Sequence, residues 1–144
     1  MVKPDGVQRG FVGIIISKFE QRGYQLCGLK MRKAPQDLLE KHYAHLKSKP
    51  YFAAVINHMM NGPVVSMIWQ GKDVVKQGRS MLGVTDPLVS EPGSLRADYC
   101  IAIRKTACHG SDSVDTANAE IKMWFKEDEV VNYNLPTPKD LFHH

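Results

Sequence analysis

Apolar side chains recur every three or four positions in several stretches of the chain, which is the spacing of one face of an α-helix. The clearest stretch precedes Gly23, a residue type that readily takes the left-handed conformation at the end of a helix. Another begins at Val114 and ends in the aromatic residue Phe125. The pattern predicts helices over residues 11–22, 36–46, 51–60, 73–82 and 114–125.

Shorter apolar runs, rich in β-branched and aromatic residues, predict the strands. Residues 1–3 have the pattern of a strand end, and the sequence Pro-Asp-Gly over residues 4–6 is typical of a turn. A long loop is predicted over residues 83–96. The resulting order, β-α-β-α-α-β-α-loop-β-α, indicates an α+β fold in which helices cover a sheet. Full strands are predicted over residues 24–31, 64–69 and 99–103.

The chain has 144 residues, of which 43% are apolar and 24% are charged. This length and composition predict a single domain over residues 1–144, with residues 134–144 as an extended tail. No apolar run approaches the roughly 20 residues that span a bilayer, so no membrane association is expected. Three cysteines without CxxC spacing favour a reducing compartment, and we expect a cytoplasmic protein.

The formal net charge is +4 and the pI is near 9.0. A mild positive excess suits an anionic ligand, either a nucleotide or a nucleic acid, and it is equally compatible with an ordinary basic surface. The basic residues are scattered and not interleaved with aromatic residues. Nucleic-acid binding is therefore the weaker of the two ligand hypotheses.

The segment His-Gly-Ser-Asp-Ser-Val, residues 109–114, places a histidine directly before a predicted helix. Ser111 or Asp112 is expected to cap that helix, and its free amide groups would attract an anion close to His109. An imidazole with a pKa near 6.5 is largely neutral at pH 7 and can attack a phosphoryl group. The alternative is a histidine that only packs at the end of a strand.

Glu120 lies about 90° around the helix from its apolar face, at 100° per residue. From that position its carboxylate can reach back towards His109 and fix the tautomer of the imidazole. On spacing alone, a solvated glutamate remains an open alternative. Lys3, Arg79 and Arg96 are candidate phosphate ligands, although each could be a surface charge. The sequence has no Walker A or GxGxxG motif.

Five segments together resemble the nucleoside diphosphate kinase family, over residue 1 to about residue 133. They are KPDGVQRG at 3–10, GPVV at 62–65, VVKQGR at 74–79, PGSLRAD at 92–98 and HGSDSV at 109–114. The resemblance implies a ferredoxin-like α+β fold, with a four-stranded antiparallel sheet covered by helices. It also implies a homo-oligomer, with a hexamer expected first and a tetramer or dimer as alternatives.

The reaction implied by the resemblance is ping-pong. A nucleoside triphosphate gives its γ-phosphoryl group to His109, and the phosphohistidine passes it to a nucleoside diphosphate. Glu120 would hold the other ring nitrogen, while Lys3 and Tyr43 would lie at the transferred group. Mg²⁺ would arrive with the nucleotide, without metal ligands from the protein. The nucleotide-binding residues implied are Lys3, Tyr51, Arg79, Thr85, Arg96 and Thr106.

Three features depart from the family pattern. The first strand is shortened, because the family has several residues ahead of the position of Met1, and lower stability is expected. Thr106 replaces an asparagine, and we expect this to weaken nucleotide affinity. The tail after Tyr133 differs from the usual ending of the family, which locks subunits together in many of its members.

Two other function classes follow from these departures. One is a nucleic-acid-binding or regulatory protein on the same scaffold, with weakened catalysis. The other is a purely structural assembly module. The joint presence of six residues with family counterparts favours the enzyme, because neither alternative needs all of them. Those six are Lys3, Arg79, Thr85, Arg96, His109 and Glu120.

Overall fold

The computed structural model describes residues 1–134, and the predicted extended tail over 134–144 lies outside them except for its first residue. Two strands, β1 (Gln25–Arg32) and β2 (Val64–Gln70), pair antiparallel. Val2 forms single bridges to Val65 of β2 and to Cys108. The lateral order is therefore β1, β2, the segment of Val2 and the segment of Cys108.

Seven α-helices accompany this sheet in residues 1–134. Helix α2 ends at Gly23, whose φ of 101° confirms the predicted left-handed stop. The predicted helices 11–22, 51–60, 73–82 and 114–125 are confirmed to within a residue at each end. The α-helices are α1 (Pro4–Gln8), α2 (Val12–Arg22), α3 (Gln36–His42), α4 (Phe52–Met60), α5 (Val74–Leu82), α6 (Leu95–Tyr99) and α7 (Val114–Trp124). Short 3₁₀ turns cover Ala44–Leu46, Pro87–Val89 and Glu127–Glu129.

Three predicted turn, helix or strand segments differ from the structure. Residues 4–6 begin α1 instead of a turn, because the fixed φ of Pro4 suits the first position of a helix. Helix α3 stops at His42, and a 3₁₀ turn completes the predicted 36–46 segment.

No strand forms over 99–103. Ser94 caps α6 by accepting from the amide of Ala97, so helix extends to Tyr99, and Ile101 beyond it is 81% exposed. Residues 1–134 thus contain a two-stranded sheet, where the resemblance implies four strands.

Two apolar clusters cover opposite faces of β2, as the alternation of side chains along a strand requires. Val64 and Ile68 pack with Trp124 of α7 in one cluster. Val65 packs with Phe19 of α2 in the other. The α+β fold class is confirmed. None of the helices in residues 1–134 combines the length and the apolar character needed to cross a lipid bilayer.

Candidate active site

His109 is held at the edge of the sheet by backbone contacts. Its amide donates to the Met1 carbonyl at 2.8 Å, directly after the bridge between Val2 and Cys108. Its side chain is 28% exposed. Helix α7 begins five residues later and is capped by Ser113, which accepts from the amide of Thr116 at 3.0 Å. The predicted cap at Ser111 or Asp112 was therefore wrong, because Ser113 is the residue with the extended backbone of a cap.

The structure brings Glu120 back to His109, as the helical spacing indicated. Nε2 of His109 lies 2.9 Å from Oε2 of Glu120. Burial lowers the pKa of His109, although the hydrogen bond with Glu120 opposes this. Burial would raise the pKa of Glu120, but the His109 hydrogen bond and nearby imidazoles hold it below its usual value. A neutral imidazole therefore donates from Nε2–H to a carboxylate, which leaves the Nδ1 lone pair free.

Three cationic side chains surround the segment that leads to His109. Lys3 Nζ donates to Thr106 Oγ1 at 3.0 Å, and Arg79 Nη1 donates to the Gly110 carbonyl at 2.9 Å. Burial lowers the pKa of Lys3, and the charge of Arg96 lowers it further.

Arg96 is 8% exposed and joins two segments of the chain. Its Nη1 donates to the Gly83 carbonyl at 2.6 Å and its Nη2 to the Cys108 carbonyl at 2.8 Å. These two contacts and those of Lys3 and Arg79 concentrate positive charge beside a neutral nucleophile. That combination suits a phosphate ester.

Two buried residues complete the surroundings of Glu120, and the sequence reasoning missed both. His42 Nδ1 lies 3.3 Å from Oε2 of Glu120, and it accepts a hydrogen bond from Trp124 Nε1 at 3.0 Å. The His42 and His109 rings meet edge to face, with centroids 4.8 Å apart. In the sequence, His42 is an ordinary polar residue of a predicted helix. Only its burial and its hydrogen-bond partners in the folded chain show that it belongs to the site.

The ligand atoms of His42, His109 and Glu120 lie within 4.8 Å of one another, which is the separation of a metal site. Mg²⁺ prefers oxygen ligands, so two imidazoles and one carboxylate do not fit it. The lone pair of His42 Nδ1 is also already taken by the Trp124 N–H. The cluster is therefore a hydrogen-bond network.

A cavity of about 160 Å³ borders this network. Its polar wall includes Arg79, His109 and Glu120, and Ser66 adds a buried hydroxyl that has no hydrogen-bond partner within residues 1–134. The rest of the wall is mainly apolar core of the sheet, α2, α5 and α7. His109 therefore lies between the cationic side chains of Lys3, Arg79 and Arg96 on one side and the apolar interior on the other.

Comparison with known proteins decides the family. A family model described as nucleoside diphosphate kinase matches residues 1–130. The nucleoside diphosphate kinase of Emericella nidulans is 52% identical over 134 residues, which are 93% of this chain and 88% of that protein. Human nucleoside diphosphate kinase A is 53% identical over 92% of this chain and 87% of its own length. The chain belongs to the nucleoside diphosphate kinase family.

Solved structures of the family have the same fold. The enzyme of Halobacterium salinarum, in complex with CDP, superposes with a TM-score of 0.90 at 36% identity, covering 94% of this chain and 90% of its own. The enzyme of Encephalitozoon cuniculi, without ligand, superposes with a TM-score of 0.92 at 37% identity, covering 99% and 95%. The chain is thus a nucleoside diphosphate kinase, a phosphotransferase that acts on nucleoside di- and triphosphates.

The remaining residues that the family resemblance singles out lie in different surroundings. Tyr43 is 8% exposed, and its burial, with the Glu120 charge, raises its pKa to about 12. Tyr51 precedes α4 and Thr85 lies in the loop after α5; both are exposed and make no side-chain hydrogen bond within residues 1–134. Thr106 is 1% exposed and offers no free surface to a nucleotide. Its hydroxyl instead accepts from Lys3.

Replacing Thr106 with valine is expected to raise KM for nucleotides about two- to tenfold. The change keeps the shape of the side chain but removes the acceptor of Lys3 Nζ, a loss of about 0.5–1.5 kcal/mol. Initial-rate kinetics measure the effect. Thr106→Ser keeps the hydroxyl and is the matched control, with KM expected within twofold of wild type. Equal KM in all three proteins would show that the hydrogen bond from Lys3 to the residue 106 hydroxyl does not affect nucleotide binding.

The free energy of unfolding is expected to fall as the pH drops from 6.5 towards 4. Burial, the His109 charge and other nearby cations lower the pKa of His42 to about 4, while Glu120 opposes them. Between the two pKa values the unfolded chain binds a proton that the folded chain excludes, so stability is lost on acidification, by about 2–3 kcal/mol. Urea denaturation at several pH values measures it. If the free energy of unfolding of His42→Phe falls as steeply with decreasing pH as that of the wild type, the loss belongs to other groups.

Proposed function

We propose that His109 is the nucleophile of a ping-pong reaction. The observation that carries this proposal is the contact between Nε2 of His109 and Glu120, which leaves Nδ1 unprotonated. Nδ1 attacks the γ-phosphorus of a nucleoside triphosphate, and the bond from that phosphorus to the bridging oxygen breaks. The nucleoside diphosphate leaves with the electron pair. In the second half-reaction, the terminal phosphate oxygen of another diphosphate attacks the phosphorus of the phosphohistidine, the bond from phosphorus to Nδ1 breaks, and its electron pair returns to Nδ1.

Glu120 stabilises this cycle because the ring gains positive character when Nδ1 bonds to phosphorus. Its carboxylate faces the Nε2–H on the opposite side of the ring and keeps that proton in place throughout. Tyr43 is neutral at physiological pH, as a phenol ordinarily is, and burial raises its pKa further, to about 12, so its hydroxyl can donate to the transferred group.

Charge neutralisation falls to Lys3, Arg79 and Arg96. Phosphoryl transfer asks the protein mainly for positioning and for positive charge around the phosphate oxygens. Lys3 and Arg79 each use one N–H on the protein and retain others for phosphate. Mg²⁺ bound to the nucleotide would supply further positive charge at the phosphates.

Two exposed residues, Tyr51 and Thr85, add contacts to the base and to the phosphates respectively. The exposed ring of Tyr51 can stack on a base, and stacking accepts every base because each has a π-face. Thr85 can donate its hydroxyl to a phosphate. The CDP complex of the Halobacterium salinarum relative supports a nucleoside diphosphate as ligand.

The architecture proposed with this function is a four-stranded ferredoxin-like sheet in a cytoplasmic homo-oligomer. The bridges of Val2 and Cys108 support two further strands beside β2. Leu29 and Met31, 53% and 62% exposed on the edge strand β1, support self-association into a hexamer, tetramer or dimer. Light scattering measures the mass of the assembly and tests this part separately.

Incubation with γ-labelled ATP tests the reaction itself. We expect the protein to become labelled in a bond that acid breaks and alkali leaves intact, because a phosphoramidate behaves in this way. Added GDP should remove the label and yield labelled GTP. Transfer to GDP without a labelled protein would contradict the ping-pong path and favour direct transfer between two bound nucleotides.

A further inference from the structure

We infer that His42 is a positioning residue for the proposed reaction: Trp124 holds His42 as an acceptor, so that His42 does not compete with His109 for Oε2 of Glu120. This inference rests on the proposed role of His109. It assigns a function to two buried side chains that do not touch the substrate. The network joins the end of α3 to the C-terminal half of α7 and to the segment before that helix.

Trp124 determines the tautomer of His42. An indole N–H can only donate, so the Nδ1 atom that it contacts at 3.0 Å must carry a lone pair. A neutral imidazole has one donor and one acceptor, and the proton of His42 is therefore on Nε2. Both side chains are buried, at 8% and 4% exposed, so water does not compete easily for this bond.

This tautomer prevents His42 from bonding to Glu120. Oε2 of Glu120 lies 3.3 Å from Nδ1 of His42, close enough for a hydrogen bond if that nitrogen carried a proton. As an acceptor it offers only a lone pair. The same oxygen receives its hydrogen bond from Nε2 of His109 at 2.9 Å. The two imidazoles would otherwise compete for one carboxylate oxygen.

Burial first, and the charges around His42 second, lower its pKa and keep it neutral at physiological pH. From α7 and the segment before it, Glu120 favours the protonated form and His109 opposes it. From the first segment the amino group of Met1 opposes it, and so does His45 beyond α3. The neighbouring Tyr43 is a neutral phenol and adds no charge, since burial raises its already high pKa to about 12. Burial adds the largest effect and places the pKa of His42 at about 4.

Trp124→Phe tests the inference, since it removes the N–H and retains an aromatic ring. His42 can then protonate at Nδ1 and donate to Glu120. We expect kcat to fall about tenfold with KM within twofold, and the acid limb of kcat to move about one pH unit upward. Trp69→Phe is the matched control. It makes the same chemical change at the other tryptophan, which stacks on Phe19, and should alter neither kcat nor the pH profile.

A double-mutant cycle separates positioning from packing. His42→Phe removes the competing donor, so Trp124→Phe should have less than a twofold further effect on kcat in that background. Independent additive losses would assign both residues to packing and overturn the inference. An upward shift of the acid limb that persists in the double variant would also overturn it, because His42 would not be its source.

Nitrogen NMR of the imidazoles, in the wild type and in Trp124→Phe, measures the tautomer of His42 directly. We expect the His42 Nδ1 signal at the position of an unprotonated nitrogen at pH 7, and a protonated Nδ1 in Trp124→Phe. A protonated Nδ1 in the wild type would overturn the inference. Absence of an acid-labile phosphoenzyme would instead contradict the proposed function, and the tautomer measurement would still stand by itself.

Discussion

His109→Ala is expected to abolish phosphoryl transfer, with kcat/KM lowered by about 10⁴ or more. The covalent path needs the Nδ1 lone pair, and removal of the imidazole leaves the cations and Glu120 without a nucleophile to orient. The neighbouring His42 cannot replace it, because its Nδ1 accepts from Trp124. A coupled assay of GTP formation from ATP and GDP measures the loss.

The labelling experiment provides the second measurement on the same variant. His109→Ala should bind nucleotide but take up no acid-labile label. His45→Ala is the matched control, since it removes an exposed imidazole close to the site and should keep both label and rate. Retention of label in His109→Ala would move the phosphorylated residue elsewhere and would refute the central assignment.

Arg96→Met is expected to lower the free energy of unfolding by about 2–5 kcal/mol. Arg96 is 8% exposed, and its guanidinium supplies the donors for two carbonyl groups, those of Gly83 and Cys108. Each buried acceptor left without a donor costs about 1–3 kcal/mol. The loop after α5 would also separate from the residue next to His109, so activity should fall in the folded protein as well.

Urea and thermal denaturation measure this effect, and Arg79→Met is its matched control. The hydrogen bond of Arg79 to the Gly110 carbonyl is exposed, so its loss should cost less than about 1 kcal/mol, although activity should still fall. At about 2–4 °C per kcal/mol for a chain of this size, the two melting temperatures should differ clearly. Equal shifts in both variants would show that Arg96 has no special role in joining the two segments.

Local patterns predicted much of this molecule because they depend on neighbouring residues. The apolar stripe that ends at Gly23 and the run over β2 each form the expected element. The position of Glu120, to one side of the apolar face of α7, allowed its carboxylate to reach His109 but left a solvated glutamate open, and the structure shows the contact. The resemblance of the five segments to the family is confirmed by the comparisons.

Other features depend on more than the local sequence. Residues 99–103 have the apolar content of a strand, but a strand forms only where a neighbour supplies hydrogen bonds, and the cap of Ser94 extends a helix into this region instead. Thr106 has the sequence position of a nucleotide contact, and long-range packing buries it against Lys3. The first outcome reflects competition between local structures. The second depends on Lys3, which lies about a hundred residues away in the sequence.

By itself, the sequence determined the α+β class, most helices and the family, because periodicity, helix stops and motif segments depend on residues that are close together in the sequence. Only the tertiary structure determined which side chains share the network around Glu120. His42 and Trp124 are 82 positions apart, and no local pattern reports the 3.0 Å between their nitrogens. The tautomer of a buried imidazole is set by the partners that folding brings to it, so this property arises with the packed chain.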